Sequence, residues 1–173
     1  GAEVSKFVEE NFVKILTSSP EWKNKNYEGA LDNCFMKLDD KVSEQEYAQD
    51  TGTTCCVVLI TKENIYCANS GDSRAILVKK GNFVVELSED HKPDNREEEK
   101  RINTANHFVS ESRVDGNLAL SRAIGDFQYK DMPNLAAKDQ AVTAKPDIKV
   151  VKRSKDDDFI VNACDGIWDC MSN

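Results

Sequence analysis

Apolar residues at Val4, Phe7, Val8, Phe12, Ile15 and Leu16 recur at steps of three and four, which predicts an amphipathic helix with one face in the core. Ser18-Ser19-Pro20-Glu21 breaks that period, and Ala30, Leu31, Cys34, Phe35, Leu38 and Val42 then mark a second helix of the same kind. Two such stripes bury each other when the helices pack side by side. From Thr51 the texture changes to short apolar runs: Cys55–Ile60, Ile65–Ala68, Ala75–Val78 and Phe83–Leu87. Lys62-Glu63-Asn64, Ser70-Gly71-Asp72-Ser73 and Lys80-Gly81-Asn82 separate them, which predicts four strands in an antiparallel meander, because parallel pairing needs long crossovers. A third helix is expected over about Asn95 to Ala105, where Glu97, Glu98 and Glu99 precede Lys100 and Arg101 in the order the helix dipole favours. Further strands are expected around Phe108-Val109, Ile148–Val151 and Phe159–Ala163. Helices, then strands, then a helix again read as α+β and not as repeated βαβ units. Residues 128–146 show no period and read as one long loop, a kind that is usually functional or mobile.

Composition narrows the class. The 173 residues suit one domain, and 39% hydrophobic with 31% charged residues allow a real core. A formal net charge of −8 argues against a nucleic-acid binder, since phosphate backbones are held chiefly by Lys and Arg. No apolar run approaches the ~18 residues of a membrane helix. The six cysteines, Cys34, Cys55, Cys56, Cys67, Cys164 and Cys170, include no C-x-x-C pair, and most sit in apolar runs, as reduced thiols of a cytoplasmic protein do. The chain opens on Gly1 and stops at Asn173 just after an apolar cluster, so a piece of a longer protein is expected.

Spacing removes several chemistries. There is no G-x-G-x-x-G and no G-x-x-x-x-G-K-[ST], so nucleotide binding through those loops is out. Arg74 lies seven positions after Cys67, one too many for the phosphate loop of a cysteine phosphatase. His91 and His107 are the only histidines, too few for a Cys/His zinc site. What remains is Asp72, Asp90, Asp126 and Asp165, each placed where an apolar run ends. Oxygen ligands of this kind suit hard ions such as Mg²⁺ or Mn²⁺, although an Asp beside Gly is commonly a turn residue. Asp165 stands out because it directly ends the apolar run Phe159–Ala163.

At these residues the chain resembles the metal-dependent protein serine/threonine phosphatases of type 2C. The resemblance runs through Thr51-Gly52-Thr53-Thr54, Gly71-Asp72-Ser73-Arg74, Asp90-His91-Lys92-Pro93, Glu97 to Ile102, Leu118 to Asp126, and Asp165-Gly166-Ile167-Trp168-Asp169, in order and over essentially the whole chain. It implies an α+β fold, an antiparallel β-sandwich flanked by helices on both sides (α-β-β-α), incomplete at both termini. Residues 1–173 are then a single partial phosphatase domain, with residues 128–146 as a flap-like loop beside the cleft.

The resemblance also implies a mechanism in which two Mg²⁺ or Mn²⁺ ions, with a third weaker position, activate a water for in-line attack on phosphorus. Asp165 is carried over as a metal ligand, and Asp90 as the ligand of the additional position, shared with Asp165. Asp72, Arg74 and Asp126 are carried over as structural. No catalytic side chain is retained: the family's bridging Asp and its general-acid His belong to a motif just before Gly1, and its last Asp ligand falls beyond Asn173. The expected partners are phosphoprotein substrates, with no nucleic acid and no membrane, for a monomer of the cytoplasm or nucleus. The expectation is a portion of a genuine phosphatase, nearly inactive alone; the alternative is an inert relative that uses the fold as an interaction module.

Overall fold

The first apolar stripe folds as α1 (Ala2–Ser18), which buries Val4, Val8, Phe12 and Leu16 at successive four-residue steps. Ser19 ends it and caps α2 (Pro20–Lys23): its Oγ accepts the Trp22 N–H at 3.1 Å, and Pro20 occupies the first turn, where a missing N–H is harmless. Asn26 caps α3 (Tyr27–Val42) in the same way through the Gly29 N–H. The six apolar positions read from the sequence of α3 are all buried, and Phe12 of α1 meets Phe35 of α3 edge to face at 5.7 Å.

All 173 residues are described in this computed structural model. Strands β1 (Gly52–Thr53), β2 (Cys55–Ile60), β3 (Asn64–Ser70), β4 (Arg74–Lys79) and β5 (Phe83–Glu86) follow the helices. After them come α4 (Arg96–Thr104), β6 (Val109–Ser110), β7 (Arg113–Val114), β8 (Ile124–Gly125), β9 (Asp147–Lys152), β10 (Asp157–Ala163) and α5 (Asp165–Trp168). The pairing corrects one expectation. β2 to β5 do not form a four-stranded meander: β2-β3-β9 make one antiparallel sheet and β10-β4-β5 another, while β1-β8 and β6-β7 are short ribbons.

The reason lies in side chains on both faces of the strands. On β3, Ile65 and Cys67 face the second sheet, and Tyr66 and Ala68 face the helices. Such a strand needs cover on both sides, which a lone meander cannot supply. The chain therefore turns a corner at Ser70–Ser73 and crosses to the other sheet. Gly71 makes the corner, at φ +115° and so close to Thr54 that a Cβ would lie 2.4 Å from its Cγ2.

Between the sheets lie Ile65, Cys67, Ala75, Leu77 and Leu87, with Val58, Val85, Val151 and Ile160 around them. Outside the first sheet, α1 and α3 pack on Cys55, Val57, Tyr66, Ala68 and Ile148. At one end of the second sheet's outer face α5 begins, its Trp168 ring 5.2 Å from the Arg74 guanidinium. The α+β sandwich read from the resemblance is the observed fold. All six cysteines are free thiols, and no helix is long and apolar enough to cross a membrane.

Residues 128–146 contain no strand or α-helix, yet they are tied down. Tyr129, Ala141 and Val142 join Ile102, Val114 and Ala123 in a third cluster. The Gln140 amide stands in for a strand partner, bonding Met132 N–H and the carbonyls of Met132 and Leu135. At the head of this segment the Lys130 ammonium is buried. It donates to both Asp39 oxygens at 2.7 and 2.9 Å and to the Ala123 carbonyl at 2.9 Å. Burial pushes the Asp39 carboxyl up and the Lys130 ammonium down, and each charge offsets the cost of the other.

Asp39→Ala removes the partner of a desolvated ammonium, and a loss of about 3–5 kcal/mol is expected in urea unfolding. Adding Lys130→Met should return part of it, because the orphaned ammonium is gone while the buried Asp126 loses its nearby cation and the Gly125 N–H its acceptor. A double variant as unstable as the single one would show that the pair is not the source.

Candidate active-site cleft

Four chain segments converge at one end of the sandwich. The β3–β4 corner delivers Asp72, the end of β10 delivers Asp165 as the first residue of α5, and the β1-β8 ribbon delivers Thr53 and, just past Gly125, Asp126 in a left-handed conformation at φ +55°. The stretch Leu118–Leu120 forms an apolar wall. Between them lies a cleft of about 660 Å³.

The carboxylates there are in different states. Asp72 is buried and accepts the Lys92 ammonium at 2.6 Å. Partial burial works against the Lys92 charge, but the bond to Asp72 and the nearby Asp90 and Asp169 charges outweigh it and raise its pKa. Burial pushes the Asp126 carboxyl up, with Lys130 opposing. Asp165 and Asp50 are exposed, and neither carboxylate has a hydrogen-bond or ion-pair partner in the chain; Asp165 is set apart by its place at the end of β10.

Asp90 lies elsewhere. Arg74 Nε and a terminal nitrogen clamp its two oxygens at 2.8 and 2.9 Å, and the bond to Asp90 is the main reason the Arg74 pKa is raised. Asp90 lines a separate cavity of about 300 Å³ together with Arg74, Glu86, Lys92 and Asn95. The Asp72–Lys92 pair joins the two spaces, Asp72 facing one and Lys92 the other. Asp90 and Asp165 thus flank one charged partition without sharing a cavity. Asp169, one helical turn beyond Asp165, acts electrostatically on both Arg74 and Lys92. Asp169 belongs to the Asp165–Asp169 motif, but nothing in a linear spacing shows that a turn of α5 brings it over the partition.

His91 fastens the cleft from behind. Its N–H donates to the Gly71 carbonyl at 3.1 Å and its Nδ1 accepts the Gly71 N–H at 3.1 Å. Because Nδ1 accepts, the ring proton sits on Nε2, 3.1 Å from Asp147. The bond to His91 is the main force holding the Asp147 carboxyl below the usual range. The His91 carbonyl accepts the N–H of Ser121 at 3.0 Å. Ser121 also donates to Glu98 at 2.5 Å, and Glu98 is buried between Arg122 at 2.7 Å and Arg101 at 2.8 Å. Glu98 had read as one of three acids at a helix start; only its burial separates it from Glu97 and Glu99.

Oxygen-rich Asp165 has the right donor chemistry for Mg²⁺ or Mn²⁺. It stands alone, however: no group of three or more His, Cys, Asp or Glu side chains converges anywhere in the chain, and both Asp90 oxygens are taken by Arg74. These residues by themselves do not fit the dinuclear centre that the resemblance implies.

The whole chain, residues 1–173, matches the family described as protein phosphatase 2C. It is 46% identical to "Protein phosphatase 2C homolog 2" of Aspergillus flavus, over 100% of this chain and 40% of that protein. It is 44% identical to "Protein phosphatase 2C homolog 3" of Schizosaccharomyces pombe, over 100% of this chain and 42% of that one. The chain therefore spans about two fifths of the length of these relatives. Among solved structures it is similar to a serine-threonine phosphatase 2C from Toxoplasma gondii, with a TM-score of 0.83 and 25% identity over 99% of this chain and 66% of that one.

Burial works against the Glu98 charge, but its bonds to Arg122 and Arg101 outweigh burial and lower the carboxyl from 4.5 to about 2. A depressed acid contributes stability that is complete above its unfolded pKa and fades as the pH falls towards the folded one, here between about 4.5 and 2. Glu98→Gln should cost about 3 kcal/mol at pH 7 and flatten the dependence of Tm on pH across that window. Thermal unfolding followed by circular dichroism at a series of pH values measures both, and an unchanged acid limb would show that Glu98 is not its source.

Proposed function

The chain belongs to the protein phosphatase 2C family, and on that premise we propose that it is part of a metal-dependent protein serine/threonine phosphatase, which releases phosphate from phosphoserine and phosphothreonine. The observation that carries the reading is Asp165: an unpaired, exposed carboxylate at the end of the edge strand β10, facing the large cleft, while Asp72 and Asp90 are each engaged by a cation. In this reading Asp165 is the ligand the chain lends to a Mg²⁺ or Mn²⁺ centre, and Asp90 an additional one. The substrates are phosphoproteins, and the protein works as a monomer in the cytoplasm or nucleus, in keeping with its free thiols. With no cluster of three ligands among these 173 residues, they are expected to release little phosphate alone.

One observation favours the second reading, an inert module that uses the fold for interaction: Arg74 occupies both oxygens of Asp90, as in a purely structural pair. The two readings part on one assay. The full-length protein with Mn²⁺ should release phosphate from a phosphothreonine peptide, EDTA should abolish the release, and Asp165→Asn should lower it at least about a hundredfold with unchanged circular dichroism. No release from the full-length protein, or release indifferent to Asp165→Asn, would reject the phosphatase reading.

A further inference from the structure

Arg113 is the only lysine or arginine lining the cleft of Asp165. Elsewhere in the site the arginines are spoken for: Arg74 holds Asp90, and Arg101 and Arg122 hold Glu98. The Arg113 guanidinium has no carboxylate partner. Its one side-chain hydrogen bond runs from a terminal nitrogen to the Asn117 carbonyl at 2.6 Å, which steadies the group and leaves its remaining N–H donors free.

The backbone beneath it is fixed from several sides. β6 and β7 are joined through Glu111 and Ser112, both at positive φ (53° and 57°), a turn that side-chain-bearing residues adopt at a cost. Ser112 Oγ ties the turn to Asp94 at 2.8 Å. Asp115 is anchored by the His107 ring at 2.7 Å and by the Phe108 N–H at 3.1 Å. Val114 is fully buried, so the alternation of a strand sends Arg113 to the opposite side, into the cleft. Leu118 and Leu120 line the same space and offer an apolar wall beside the cation.

We propose that Arg113 is a specificity residue that pairs with an acidic side chain flanking the phosphoresidue of a peptide substrate; this rests on the phosphatase reading of the cleft. A volume of about 660 Å³ holds far more than a phosphoryl group, so part of a peptide chain has room beside the reacting residue. Arg113 is exposed to solvent, whereas groups that stabilise a reacting centre are worth most where water is excluded. Its free fork fits a carboxylate bidentately, in a cleft whose own carboxylates otherwise repel acidic peptides.

The test compares, in the full-length protein, kcat/KM for two phosphothreonine peptides that differ only in having Glu or Ala beside the phosphoresidue. Arg113→Ala should lower the Glu-to-Ala ratio about tenfold, and Arg113→Glu should shift preference to a Lys-flanked peptide. A merely structural role, or a grip on the reacting phosphoryl, lowers both peptides alike and leaves the ratio unchanged, which overturns the proposal. Fluorescence anisotropy with the same labelled peptides reads the ratio of dissociation constants without any turnover. Absence of phosphate release would therefore count against the phosphatase reading alone, while an anisotropy ratio indifferent to Arg113 would count against this one.

Discussion

The corner at Gly71 and the histidine that clasps it are the constraint on which the rest of this molecule depends. A strand apolar on both faces must be covered twice, so β3 and β4 have to part company and enter different sheets. The parting needs a backbone conformation and a closeness to Thr54 that only glycine allows. His91 then bonds both the N–H and the carbonyl of Gly71, and reaches Asp147 at the start of β9 and Ser121 on the way to β8. One buried histidine, through its ring and its backbone together, thus sets the corner, the entry of a third strand and the wall of the cleft. Asp72, Asp90 and Lys92 are its chain neighbours or lie beside the residue it holds, so their placement follows from the same clasp.

Charge in this domain is settled by local pairing more than by the total of −8. Asp39 with Lys130 and Glu98 with Arg101 and Arg122 are buried groups in which each ion answers the desolvation of its partner. Asp72 with Lys92 and Asp90 with Arg74 form a partition between two cavities, and Asp165 and Arg113 are left on the large cleft without an opposite charge. Unpaired ions at an exposed, rigidly held position are the groups with capacity to engage something else, which is why both functional readings rest on them.

The helices were legible because their burial repeats along the chain: each apolar position marked on α3 is in the core, and the strands from Cys55 to Phe83 lie where short apolar runs end in turns. The residues at strand ends were legible too, since Asp165 follows an apolar run and faces the cleft. Asp39 was not, because a buried carboxylate inside an amphipathic stripe looks like any solvated helix residue until Lys130, far along the chain, is brought to it. Gln140 was invisible for a related reason: it orders residues 128–146 by imitating a strand partner, and that leaves no period to read.

By itself, then, the sequence determined local matters and identity: which segments are helical or extended, which aspartates stand at their ends, and which family their order matches. Periodicity, turn chemistry and motif spacing are properties of neighbouring residues, so they can be read in one dimension. Tertiary structure alone decided that the meander splits into two sheets, that Asp90 is clamped by Arg74 in its own cavity while Asp165 faces the cleft unpaired, and that Arg113 is the free cation beside it. Each of those outcomes depends on which distant group arrives to cover a face or answer a charge, and burial of that kind exists only once the chain has closed on itself.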